Sequence, residues 1–252
     1  MNTTLQTMRK DEQGFTLVEL AVVMIIIGLL IGGILKGQEL ITNARVTSTI
    51  AQMESITAAY QDFRGQFNAL PGDMNTAAAR IGNCGALACA DGDGDGVIDQ
   101  AIGAAMAAPA AAGVGENTGF FLHLLGANYL SGYTGNSGTI SFGTSAPATP
   151  LGGGFSVGVH PGAATAGFAA GRQGLYLTVQ GVVGAQAPAN GILTATQAQR
   201  IDTKLDDGLP STGSILGNSG NTDGTTTCAT LAATGGTYNG VSNALCSIAY
   251  RM

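Results

Sequence analysis

The sequence has no tryptophan, only two histidines, and charged residues at just 10% of the chain. Aromatic residues make up 6%, so a core has to be assembled mainly from Ala, Val, Ile and Leu. So little charge is unusual for a cytosolic enzyme and suits a secreted or surface-exposed protein. The net charge of −6 and the lack of any basic patch argue against nucleic acid as a partner. His123 and His160 stand alone and form no triad. With no nucleophile elbow, HExxH motif or phosphate loop in the chain, an enzyme is not expected. The four cysteines fall into two local pairs, Cys84/Cys89 and Cys228/Cys246. Neither has CxxC spacing with nearby histidines, which argues against zinc. An even count in an exported chain favours two disulfides.

What is present begins at the N-terminus. Residues 1–14 are polar and include Arg9 and Lys10, which should stay cytoplasmic. An apolar run from Phe15 to Leu35 follows, interrupted only by Thr16 and Glu19. As a helix this run spans roughly 31 Å, the thickness of a bilayer core. No A-x-A sequence closes it, so it is not a removable signal peptide and is expected to stay in the mature protein. Glu19 is its anomaly. A carboxylate at such depth costs about 2.5–3.5 kcal/mol on insertion scales and needs a partner. Cleavage after Gly14 would give Phe15 an ammonium group one helical turn away, on the same chain or a neighbour.

The stretch Gly14-Phe15-Thr16-Leu17-Val18-Glu19 resembles the class III signal of type IV prepilins and type II secretion pseudopilins. The resemblance implies cleavage between Gly14 and Phe15 by a membrane prepilin peptidase, N-methylation of Phe15 and a role for Glu19 in assembly. It implies an α+β, type IV pilin-like fold, with a long N-terminal helix whose apolar half lies in the membrane and a head carrying an antiparallel β-sheet. The expected organisation is a leader at 1–14, a transmembrane and assembly half-helix at 15–41, and a C-terminal half-helix with an extracytoplasmic head at 42–252. The implied partners are other pilins or copies of itself, the prepilin peptidase, an inner-membrane assembly platform and membrane lipid. The implied location is the bacterial inner membrane, then a pilus or pseudopilus. The function read this way is a structural subunit. The alternative is a minor tip pilin acting as adhesin or ligand-binding module, favoured if the loops around 143–170 and 211–240 form a cleft.

Past the membrane segment, Ile50, Met53, Ile56, Tyr60, Phe63 and Phe67 recur at steps of three and four, which marks an apolar stripe for a head to pack on. Pro71-Gly72 predicts a stop near residue 65. Gly28, Gly32, Gly33 and Gly37 form either a close-packing face or a weak stretch, at about 1 kcal/mol each. Leu70-Pro71-Gly72-Asp73-Met74 and Ile201–Gly208 resemble segments of a subset of prepilin-like proteins, as does the C-terminal cysteine pair. Residues 116–130 read as a short helix in which His123 is structural. Phe155–Val159 and Leu175–Val183 alternate as strands, with Tyr176, Thr178 and Gln180 on the polar side. Thr139–Phe142 and Ser247–Arg251 are further strand candidates, and tracts 143–154 and 211–226 read as surface loops.

One motif carries cation chemistry. Asp91-Gly92-Asp93-Gly94-Asp95-Gly96-Val97-Ile98-Asp99 fits the first nine positions of an EF-hand-type loop. Asp91, Asp93, Asp95 and Asp99 would converge on a Ca2+ ion, and Val97 would offer its carbonyl. Ile98 would anchor the loop. Ile102 replaces the bidentate Glu at position twelve, so that ligand has to come from elsewhere, with Glu116 a candidate. Asp202, Asp206 and Asp207 read as an acidic turn before a second cation site.

Overall fold

A computed structural model describes residues 14–87, 89–110, 113–136, 138–185, 190–220 and 227–252. Residues 1–13 of the leader, with Arg9 and Lys10, and residues 221–226 of the Gly/Ser/Thr tract lie outside the described set. The chain divides into two units, Met1–Ala44 and Arg45–Met252.

The first unit contains the start of α1 (Leu17–Phe67). Leu17, Val18, Leu20, Val22, Met24, Ile25, Leu29, Ile34 and Leu35 are all exposed. Among the described residues this is the one helix long and apolar enough to cross a membrane. A surface of this kind is tolerated only in lipid or against other apolar helices. Nothing lies within 4 Å of the Cβ position of Gly28, Gly32, Gly33 or Gly37, so these glycines fill no tight contact in the isolated chain.

The second unit holds the rest of α1, whose inward residues are Val46, Thr49, Ile50, Met53, Ile56, Ala59, Tyr60 and Phe63. Their three-and-four spacing is the predicted stripe. The helix runs two residues past the expected stop, to Phe67. It ends because Asn68 takes a left-handed conformation (φ 51°), with its N–H donating to Arg64 C=O at 2.9 Å. Asn tolerates that geometry at a helix C-terminus better than most residues. Two single-turn helices follow, α2 (Ala77–Arg80) and α3 (Cys84–Leu87), then α4 (Glu116–Gly126). Every residue of α4 except Leu125 is buried, so it is a central helix rather than the one-sided surface helix its sequence suggests.

The main sheet contains β1 (Gly154–His160), β2 (Gly174–Gln180), β3 (Ile215–Gly217) and β6 (Ile248–Arg251), in the order β1-β2-β6-β3. All neighbours are antiparallel. A small β4–β5 ribbon (Ala229–Thr230 with Thr237–Tyr238) stands apart. Between β2 and β3 lies α5 (Ala195–Leu205), opened by a reciprocal capping box of Thr194 and Gln197. This is an α+β, type IV pilin-like fold.

Phe155, Val157, Leu177, Val179 and Ile248 share one core with the α1 stripe and α4. The opposite face differs from expectation. Tyr176, Thr178 and Gln180 are not solvent-facing but buried. Tyr176 packs with Ile102, Phe168, Leu216 and Ala249 in a second cluster. The loops around 102 and 168 cover that face, and the polar groups find internal acceptors. The Tyr176 hydroxyl donates to Arg172 C=O at 2.9 Å, Thr178 to Ser156 C=O at 3.1 Å, and Gln180 to Val182 C=O at 2.9 Å. Thr139–Phe142 forms no strand. Phe142 makes only an isolated bridge to Ala146. Conversely β3 lies inside the tract read as loop. Cys84–Cys89 and Cys228–Cys246 are both disulfide-bonded, with Cα separations of 4.9 and 5.4 Å.

Candidate functional site: an N-terminal processing segment and an acidic loop

Gly14, Phe15 and Thr16 precede α1, and Thr16 is its N-cap. The Thr16 hydroxyl accepts from the Glu19 N–H at 3.3 Å, while the Glu19 carboxylate accepts from the Thr16 N–H at 2.8 Å. The Thr16 hydroxyl also donates to that carboxylate at 2.8 Å. This is a capping box, Thr-x-x-Glu, satisfying helix-start donors reciprocally. This cap is additional to the Phe15 ammonium partner and the assembly role expected for Glu19. The Thr16…Glu19 spacing that signals the cap was present in the same six residues.

In the head, the acidic loop is pinned against the turn at residues 71–73 and the start of α4. Gly72 has φ 93°, and a Cβ there would lie 2.4 Å from Glu116 C=O. Gly92 is equally constrained, since its Cβ would sit 2.4 Å from the Asp73 backbone. Only glycine allows these two close approaches. They bring two carboxylates beneath the loop, Asp73 and Glu116, exposed by 3% and 2%.

Asp73 accepts from Gly94 N–H at 2.8 Å and from Gly96 N–H at 3.0 Å. Glu116 accepts from Asp99 N–H at 2.9 Å and, more loosely, from Asp93 N–H at 3.4 Å. Burial pushes both carboxyls above the ordinary range. The loop N–H bonds oppose this, and the neighbouring carboxylates reinforce it.

Carboxylate oxygens of Asp73, Asp93 and Glu116 lie within 4.8 Å of one another, as do those of Asp93, Asp95 and Asp99. The two groups share Asp93. Asp91 belongs to neither. Its Oδ1 instead accepts from Ala78 N–H at 2.8 Å. Val97 is exposed and its N–H donates to Asp95 at 2.8 Å. Ile98 is buried, as an anchor would be, and Ile102 at position twelve is buried in the second core cluster. Glu116 stands where position twelve offers no ligand. Asp73, which the loop pattern did not include, was visible only as part of the Leu70–Met74 segment. An all-oxygen set of this kind suits a hard cation such as Ca2+.

His123 joins the same framework. Its Nδ1 accepts from Gly72 N–H at 2.9 Å and its Nε2 lies 3.0 Å from Ala90 C=O. That pairing requires the neutral ring protonated at Nε2, and burial holds its pKa down. The second acidic group differs in kind. Asp202 is buried and accepts from the Tyr238 hydroxyl at 2.8 Å and Gly208 N–H at 3.0 Å. Asp206 accepts from Ser214 and Ile215 N–H groups, and Asp207 from Leu209 N–H and the Thr212 hydroxyl. These carboxylates order the turn leading into β3.

Residues 164–170 together with Ser211, Ser219 and residues 231–233 line an open cleft of about 670 Å3, within the loop regions 143–170 and 211–240 singled out in the sequence.

With fold and N-terminus in view, the chain is similar to prepilin-type proteins over its N-terminal segment. The prokaryotic N-terminal methylation motif matches residues 9–35, the prepilin-type signature of type IV pilins and pseudopilins. The motif supports reading the chain as pilin- or pseudopilin-like, and such motifs are substrates of prepilin peptidase. The match ends at residue 35, ahead of the head. No curated protein and no solved structure matches the chain.

Proposed function

We propose that the chain is a structural subunit of a type IV pilus or type II secretion pseudopilus. It is cut between Gly14 and Phe15, methylated on Phe15, held in the inner membrane by α1 with its head in the periplasm, and polymerised through α1 by an assembly platform. The observation that carries this reading is the methylation motif on an exposed apolar helix. Such a surface needs lipid before assembly and neighbouring helices after it. Replacing Gly14 with a bulky residue tests it: the uncut precursor should accumulate in membranes and be absent from the filament fraction. Normal filaments from such a variant would overturn the reading.

In this reading the head carries a Ca2+ ion held by Asp73, Asp93, Asp95, Asp99 and Glu116. The support is the overlap of two oxygen groups on Asp93 and the burial of two like charges beneath them, which a divalent cation would offset. A second role, a minor tip pilin that binds a ligand, is favoured by the cleft lined by residues 164–170, Ser211, Ser219 and residues 231–233.

A further inference from the structure

A different concavity, of about 600 Å3, lies where α1 ends. Arg64 and Arg80 line it together with Asn68, Asn75, Thr76 and Leu70. Both arginines are exposed, and each is braced by a ring. The Arg64 guanidinium sits 5.5 Å from the Tyr60 centroid and its Nη1 donates to the Tyr60 hydroxyl at 3.2 Å. The Arg80 guanidinium sits 5.6 Å from the Phe67 centroid. Among the described residues neither arginine pairs with a carboxylate. Asp73 also borders the cavity, but both its oxygens are engaged by the Gly94 and Gly96 amides.

We propose that this cavity is a binding site for an oligosaccharide bearing uronic-acid carboxylates. A guanidinium held over an aromatic ring keeps its planar fork, which matches a carboxylate bidentately. Asn68, Asn75 and Thr76 add amide and hydroxyl groups suited to sugar hydroxyls, and Ala69, Leu70 and Met74 add apolar surface for a ring face. The volume falls within the roughly 300–1,000 Å3 common for small-ligand sites. Charge sets the ligand class. A net charge of −6 and an acidic loop forming one wall repel a dense polyanion such as nucleic acid. Isolated carboxylates spaced among neutral hydroxyls are compatible with two arginines in that field. The inference goes beyond the tip-pilin reading, which rests on the other cleft, and it does not depend on the polymer-subunit reading.

The test is titration calorimetry of the full processed chain in detergent micelles, with hyaluronan tetrasaccharide as probe and maltotetraose and inorganic phosphate as controls. The tetrasaccharide should bind and the neutral sugar should not. Arg64→Ala and Arg80→Ala should each weaken binding by at least about tenfold, as expected for loss of a charge-assisted bond. Arg172→Ala should leave it unchanged. Arg64→Lys and Arg80→Lys keep the charge but not the fork and should be intermediate, with melting temperatures that match the parent. Absent binding, equal binding of maltotetraose, or equal retention in the alanine variants overturns the site. Phosphate binding as tightly as the tetrasaccharide reduces it to a bare anion site and overturns the sugar assignment. Filament yield from the arginine variants should be normal, which separates failure here from failure of the assembly reading.

Discussion

Thr16 and Glu19 cap each other. The Glu19 carboxylate accepts from Thr16 N–H at 2.8 Å and the Thr16 hydroxyl accepts from Glu19 N–H at 3.3 Å. In the processed chain these would be the second and fifth residues, so Glu19 has an intramolecular partner before any neighbour arrives. Two roles of Glu19 therefore separate experimentally. Glu19→Gln preserves the capping box, because Gln serves at that position, but removes the charge. Glu19→Ala removes both. If the charge pairs with a Phe15 ammonium during assembly, both variants insert normally and both lower filament yield. If only the cap matters, Gln retains yield and Ala loses it. Thr16→Val should weaken the helix start by about 1 kcal/mol, seen as faster amide exchange at residues 17–20.

The head should respond to calcium. Binding to the folded form alone raises its melting temperature with calcium concentration. The effect should be larger for calcium than for magnesium, which prefers a tight octahedron. Asp93 is shared by both oxygen groups, so Asp93→Ala should abolish the shift, whereas Asp91→Ala should spare most of it. A calcium-independent melt in the parent chain would leave the loop as a hydrogen-bonded acidic turn.

The contribution of Asp202 to stability should fall as pH rises towards neutrality. Burial pushes the Asp202 carboxyl from 3.8 up to about 7. A folded-state value above the unfolded one means that its stabilising contribution is complete below about pH 4 and is lost as pH rises through about 7. Asp73 and Glu116 are shifted in the same direction. With chelator present, Asp202→Asn should therefore gain melting temperature relative to the parent as pH rises from 5 to 8, a comparison in which the opposite contributions of the buried neutral His123 and of His160 cancel. A difference between Asp202→Asn and the parent that does not grow over this interval would contradict the burial argument.

The Cys228–Cys246 bridge closes a loop with a sequence separation of 18. Loop-entropy reasoning gives it about 3 kcal/mol. Replacing both cysteines with alanine should lower the denaturation midpoint accordingly. Free-thiol labelling of the folded exported protein at either residue would show that the bridge is absent.

The parts legible in the sequence were those set by local periodicity. The α1 stripe, β1, β2 and the membrane-length run follow from spacing within a few dozen residues. The parts that were not legible depend on distant partners. The strand β3, Ile215–Gly217, is three residues long and exists because it pairs with β6, so its Gly/Ser-rich surroundings read as loop. Tyr176, Thr178 and Gln180 alternate as a solvent face would, but remote loops cover them. The helix α5 was legible in principle through Thr194 and Gln197. At the acidic loop the spacing of Asp93, Asp95 and Asp99 was informative. Asp73 was not legible as a site residue, because it reaches the loop only through the Gly72 turn against α4.

The central claim is processing at Gly14–Phe15, and intact-mass and peptide mass spectrometry of the filament fraction test it most directly. The account predicts a mature chain that begins at Phe15 and carries one extra methyl group on that residue. A mature N-terminus beyond residue 35, or an intact leader in assembled material, would contradict it.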